Sequence, residues 1–216
     1  MRRYLALLPL FFLLSGCYAD GNHRVEINQD AGQILPVSAL AIDQHDSGYQ
    51  MAVESIRQDS LDGDAQPAYF TVEATDFDAL FDRADKLLAS RLYLSHALVI
   101  VVSEPLAQND LPALVQSLLA RPDARLTLRI AVAQNATPDQ ILRAESITDG
   151  IPGLALAALL DERATDGTLA DSPLFRILDW QASGQAFSLP VLTPNLDGHT
   201  APGGSIEISP GGDAHA

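Results

Sequence analysis

The most regular apolar pattern in the chain runs from Arg91 to Gln134. Leu92–Val102 is an apolar run, followed by Ser103-Glu104-Pro105-Leu106-Ala107 and then an amphipathic segment from Asp110. Arg121-Pro122-Asp123 breaks the pattern, and a second apolar run, Leu126–Ala133, is interrupted only by Thr127 and Arg129. A buried strand, a short loop, a helix, a proline-marked stop and another strand have the spacing of a βαβ unit, in which the helix carries the chain back across a sheet. Leu111, Leu114, Val115, Leu118 and Leu119 form the buried stripe of that helix, with Pro112 in its first turn.

The flanking segments extend or cover this sheet. Ile34–Ile42 is apolar apart from Ser38 and ends at Asp43 and the polar turn Gln44–Gly48. Tyr49–Ile56 then alternates, with Tyr49, Met51, Val53 and Ser55 on one face and Gln50, Ala52, Glu54 and Ile56 on the other. Together they predict a hairpin, with Pro36 near the start of its first strand or on an edge. Tyr69–Ala74 is a third strand. Thr75 or Asp76 caps a helix to about Ser90, in which Phe77, Leu80, Phe81, Ala84, Leu87 and Leu88 recur at core-facing intervals.

Beyond the central unit, Thr137 and Gln140 have capping-box spacing around Pro138 at the first helical position. Ile147–Gly153 reads as a loop and Leu154–Glu162 as a helix. A last helix runs from Ser172-Pro173 through Ala182, closed by Gly184. Phe187–Leu192 and Ser205–Ser209 are short strands, and Pro190 predicts an edge position for the first. The expected fold class is α/β (mixed α+β), a mixed sheet with covering helices over residues 34–183. Residues 184–216 are expected to be the start of a second small domain or a disordered tail.

The amino terminus has a different character. Arg2-Arg3 precedes an apolar stretch, Tyr4–Leu14, too short to span a bilayer but suited to a signal-peptide core. It ends in Leu14-Ser15-Gly16-Cys17, which resembles the lipobox of bacterial lipoproteins, and Cys17 is the only cysteine in the chain. Residues 1–16 therefore read as a lipoprotein signal peptide, Cys17 as the lipid-attachment residue, and 17–33 as a polar tether. Two acyl chains (palmitate is the ordinary case) anchor stably where one is marginal. A single cysteine excludes an intrachain disulfide.

Charge narrows the partners. The chain carries 13 basic and 28 acidic residues, a net charge of −15, and Lys86 is its only lysine. Taking off residues 1–16 removes two arginines and no acid. Such a chain repels phosphate backbones, which argues against nucleic acid, and it lacks the polybasic segments that adsorb to anionic bilayers.

The search for reactive chemistry yields no catalytic residue, no metal site and no cofactor. No Gly-x-Ser-x-Gly elbow and no glycine-rich phosphate loop occur. His23, His45, His96, His199 and His215 show no metal-ligand spacing, and His96 reads as a hydrogen-bonded core residue in the apolar strand. Asp59, Asp62 and Asp64 do not follow the EF-hand pattern and read as a solvated loop. Glu104 and the Arg121–Arg125 segment read as local caps or pairs. No ligand-binding residue is identified.

Several pieces, in their order and spacing, resemble the Ger(x)C family, the lipoprotein C-subunits of bacterial spore germinant receptors. They are Leu14-Ser15-Gly16-Cys17, the run Val37–Asp43 with Gly48-Tyr49, Arg91-Leu92-Tyr93-Leu94-Ser95-His96, Glu104-Pro105-Leu106-Ala107, Leu118–Arg125, Ala131-Val132-Ala133 and Gln140-Ile141-Leu142. The resemblance covers roughly Cys17 to Leu192, and family members continue into further C-terminal domains. It implies a non-enzymatic, lipid-anchored subunit on the outer face of the cytoplasmic (spore inner) membrane. Such a subunit assembles with integral-membrane receptor subunits and serves nutrient-triggered germination. The alternative is a free-standing ligand-binding lipoprotein of the cell envelope, which calls for a cleft between two lobes.

Overall fold

The computed structural model describes residues 35–45, 47–57, 65–88, 92–146, 148 and 150–209. Cys17, the tether and the acidic loop positions Asp59, Asp62 and Asp64 lie outside them.

The expected hairpin is β1 (Leu35–His45) against β2 (Gly48–Arg57), antiparallel with Ile42 opposite Met51, and β3 (Gln66–Ala74) continues on the far side of β2. Asp76 caps α1 (Phe77–Leu88), its carboxylate accepting the Ala79 N–H at 2.8 Å. The chain then forms β4 (Leu92–Tyr93), a 3₁₀ turn (Leu94–His96), β5 (Val99–Ser103), α2 (Glu104–Asn109), α3 (Leu111–Leu119) and β6 (Arg129–Ala133). It continues with α4 (Pro138–Arg143), α5 (Pro152–Thr165), α6 (Leu174–Ser183), β7 (Phe187–Pro194) and β8 (Thr200–Ile208).

All eight strands form one mixed sheet, in the order β3-β2-β1-β5-β6-β7-β8, with β4 beside the start of β1. β1, β5, β6 and β7 run parallel, and an antiparallel strand or hairpin extends each side. Strand alternation divides the core by size. Leu40, Ile42, Ile100, Val102, Ile130 and Val132 meet α1, α3 and α6 on one face. Ala39, Ala41, Ala52, Val99, Val101, Ala131 and Ala133 meet Ile141, Leu142, Leu156 and Leu160 of α4 and α5 on the other. The short alanine side chains let α4 and α5 approach the sheet closely.

The α/β class and the βαβ unit agree with the sequence pattern, and several local expectations are corrected. Leu92–Val102 is not one strand: the 3₁₀ turn separates β4, which pairs with Leu35 and Pro36, from β5, which pairs with β1 from Ala39. Glu104–Ala107 is helical, not a loop, since Pro105 sits in a first turn where no N–H is needed. Pro112 has no N–H to continue that helix, and the chain restarts as α3. Helix α5 begins at Pro152, inside the expected loop Ile147–Gly153. The capping box at Thr137 and Gln140 and the left-handed Gly184 (φ 64°) stand where the pattern put them.

Pro190 does not mark an edge. β7 lies between β6 and β8, and its ladder with β6 begins only at Val191, so the missing N–H breaks no pairing there. Nor does the fold divide at residue 184. β7 and β8 complete the same sheet, and Leu189, Val191 and Ile208 belong to the main core.

Candidate functional site

Ser38 of β1, Glu54 of β2, Tyr69 of β3 and Gly153 of α5 meet in the interior. Ser38 and Glu54 are fully buried. Glu54 Oε1 accepts the Ser38 hydroxyl at 2.6 Å and the Gly153 N–H at 2.8 Å, and Oε2 accepts the Tyr69 hydroxyl at 2.7 Å. The first-turn N–H groups of a helix have no intrahelical partner, and a carboxylate there also meets the positive end of the helix dipole. Gly153 is required by this approach: a Cβ would stand 2.5 Å from Glu54 Oε1 and 2.6 Å from Ala39 Cβ. Burial, and then the hydrogen bond to Glu54, push the Tyr69 hydroxyl well above its ordinary range. The Arg143 guanidinium lies 4.4 Å from the Tyr69 ring centroid and pairs with Asp139 at 2.6 Å. Both oxygens of Glu54 are thus engaged in tying three strands to the start of α5.

A second polar group lies at the carboxyl end of the parallel strands, where open α/β sheets place their ligands. The Gln44 N–H donates to Ser103 Oγ at 3.2 Å, and Gln44 Nε2 donates to Asp110 Oδ2 at 2.9 Å. Tyr49 stacks on Phe77 at 4.1 Å between centroids, and burial and the Asp110 carboxylate raise its hydroxyl pKa. Beside it an open groove of about 450 Å³ is lined by His45, Gly48, Tyr49, Glu73, Thr75 and Arg83. Arg83 donates to the Glu73 carbonyl within this groove. A smaller apolar notch of about 150 Å³, with Ala155, Leu156, Leu159 and Thr200 in its wall, lies beside His199. His199 Nδ1 is 2.7 Å from the Glu145 carbonyl oxygen.

The residues singled out in the sequence are dispersed. Cys17, His23 and His215 lie outside the described residues. His96 is exposed in the 3₁₀ turn, 5.9 Å from the Tyr93 ring, so the core reading is corrected: the turn takes it off the strand. Glu104 accepts from Gln108 one turn on, a local bond as expected. Arg121 is more than a local pair. It lies 5.0 Å over the Phe81 ring, donates to the Leu92 carbonyl at 2.8 Å, and faces Asp85 at 3.5 Å and Asp123 at 3.6 Å. Among the described residues no three His, Cys, Asp or Glu side chains cluster to hold a metal, and no helix is long and apolar enough to cross a membrane. Glu54 was the residue the sequence pattern left unmarked. Its signal was an acidic side chain alternating with Ala52 in a strand whose other face is Met51 and Val53.

Comparison with known proteins bears on what this framework belongs to. No curated protein sequence matches the chain. Among solved structures it is similar to a chain titled "Crystal Structure of the GerBC protein", at 15% identity and a TM-score of 0.38. That match covers 79% of this chain and 48% of the other, so this chain spans about half the length of that protein. The family described as "Spore germination protein N-terminal domain" matches residues 28–194, which takes in every element from β1 to β7. The chain therefore belongs to the spore germination protein N-terminal domain family, in agreement with the Ger(x)C resemblance of its motifs.

Proposed function

We propose that the chain is a lipid-anchored, non-enzymatic subunit of a spore nutrient germinant receptor, held at the outer face of the spore inner membrane through Cys17. The observation that carries this reading is the family match over residues 28–194 directly downstream of Leu14-Ser15-Gly16-Cys17. An anchor of two acyl chains makes a membrane-spanning helix unnecessary for stable attachment. The buried polar groups support a structural role: Glu54 and Arg121 are spent on joining elements. Partners of such a subunit are integral-membrane receptor proteins. The alternative, a free-standing ligand-binding lipoprotein, calls for a cleft between two lobes, whereas the described strands form one continuous sheet.

A cross-linked pull-down of the tagged chain from spore inner membrane, read by mass spectrometry, tests the assignment. Multi-spanning receptor subunits are the expected partners, and their absence from an anchored, intact bait overturns it. The anchor is tested separately by Cys17→Ala, which is expected to move the protein from the membrane to the soluble fraction. A variant that stays with the membrane refutes lipidation at Cys17.

A further inference from the structure

Among the described residues five large apolar side chains stand about half exposed or more: Leu87 and Leu119, which the apolar stripes of α1 and α3 assign to the core, and Leu126, Phe175 and Leu196. The first four gather at one end of the domain, the amino edge of the parallel strands, while Leu196 lies in the β7–β8 turn at the opposite end. A chain of contacts ties the four positions to the point where the polypeptide enters the sheet. Leu35, the first residue of β1, pairs with Leu92. The Leu92 N–H donates to Asp85, two residues before Leu87, and its carbonyl accepts from Arg121, two residues after Leu119. Beyond that loop, the Phe175 N–H donates to the Leu126 carbonyl at 3.0 Å.

Cations are interspersed among these side chains. Lys86 and Arg125 are exposed and form no ion pair with a described residue, and exposed Arg176 pairs with Asp171 at 3.3 Å. The nearby Asp85 and Asp123 face Arg121. Asp82 and Asp179, also exposed, lie a turn from Lys86 and Arg176 on α1 and α6. Lys86 and Arg125 thus stand without an ion partner among the described residues, beside exposed apolar side chains on a chain whose net charge is −15. Apolar side chains grouped on an exposed surface mark an interaction site, and Leu or Phe set among Lys and Arg is the composition that seats a protein in the interface of an anionic bilayer.

We propose that this end is a bilayer-docking surface. Leu87, Leu119, Leu126 and Phe175 enter the interfacial zone of the membrane, and Lys86, Arg125 and Arg176 meet its anionic headgroups. The proposal rests on lipid attachment at Cys17. Residues 18–34 link Cys17 to the domain at Leu35, and Leu35 lies on this same end through its pairing with Leu92. The acidic remainder of the surface is repelled by the same headgroups, which favours one orientation over the others. A tethered domain then presents its opposite end, with the groove beside Tyr49, away from the lipid.

The test uses the full lipidated chain in vesicles of phosphatidylcholine and phosphatidylglycerol, with a nitroxide at Leu126→Cys or Phe175→Cys and a control label at Leu196→Cys. Acylation leaves Cys17 unavailable to the label, and all three positions are exposed, so the core is undisturbed. The labels at 126 and 175 are expected to be several-fold less accessible to an aqueous nickel chelate than the label at 196, and more accessible to oxygen. If all three are equally accessible to nickel while the protein floats with the vesicles, docking is refuted and the anchor stands. If the protein does not float, the anchor reading fails and docking fails with it. Shielding at 126 and 175 in spore inner membrane but not in vesicles assigns the surface to a protein partner and overturns the bilayer proposal.

Discussion

The carboxylate of Glu54 accepts the backbone N–H of Gly153 at 2.8 Å across ninety-nine residues of sequence. One oxygen atom of a fully buried side chain thereby sets where α5 begins and how closely it approaches the sheet. The same oxygen takes the Ser38 hydroxyl, and the second oxygen takes Tyr69, so the carboxylate is satisfied by strands on both sides of its own. Burial of a carboxylate is costly without such partners.

Closeness at Gly153 makes it intolerant of a side chain. Gly153→Ala brings a methyl group within 2.5 Å of Glu54 Oε1 and 2.6 Å of Ala39 Cβ. A loss of about 1–3 kcal/mol is expected from such overpacking. Gly150→Ala is the control, since a Cβ there meets nothing within 4 Å, and its change is expected to stay within about 0.5 kcal/mol. Urea denaturation of both variants measures the difference, and equal midpoints would show that α5 can move away from β2 freely.

Glu54→Gln and Glu54→Leu separate hydrogen bonding from shape. Glutamine keeps an oxygen for Ser38 and Gly153 and turns an amide toward the Tyr69 hydroxyl, which can accept. Leucine leaves the Ser38 hydroxyl and the Gly153 N–H without the acceptor they now share. The leucine variant is expected to be less stable than the glutamine variant by about 2–4 kcal/mol. Calorimetric melting compares them.

Alkaline pH acts through Tyr69. Its hydroxyl is raised in the folded protein by burial and by Glu54, so above its ordinary value of about 10 the unfolded chain releases this proton first. The stabilisation is whole below that pH and declines as pH rises beyond it. Tyr69→Phe is expected to reduce the decline, and denaturation midpoints taken from neutral pH upward reveal it. An unchanged slope in the variant would mean that other groups carry the alkaline loss.

Arg121 holds Phe81, Leu92, Asp85 and Asp123 with one planar group. Lysine supplies the charge but not the fork of donors or the flat face. Arg121→Lys is expected to cost about 1–3 kcal/mol, as for a lost charge-assisted hydrogen bond. Arg125→Lys, at an exposed position without an ion pair among the described residues, is expected to leave stability unchanged. A matched pair of thermal melts checks both.

Local order was legible where the physics is local. The alternation over Tyr49–Ile56 is the pattern of β2, and the capping box at Thr137 depends only on side chains three residues apart. Legibility failed where a neighbouring strand decides. Nothing within Leu92–Val102 announces that its first and last parts pair with different stretches of β1. Pro190 looked like an edge residue because the sequence does not reveal that pairing with β6 begins one residue later.

Periodicity, capping and short motifs act over a few residues, and so the α/β class, the central βαβ unit, the family resemblance and the motif around Cys17 could be read from residue order alone. Contacts between distant segments were needed to establish that Glu54 is a buried link rather than a surface acid, that β7 and β8 complete the first sheet, and that Leu87, Leu119, Leu126 and Phe175 share the end where Leu35 enters. A period of two assigns a side chain to a face, but whether that face is covered depends on helices far along the chain. Exposed leucines become a surface only when separate segments are brought together.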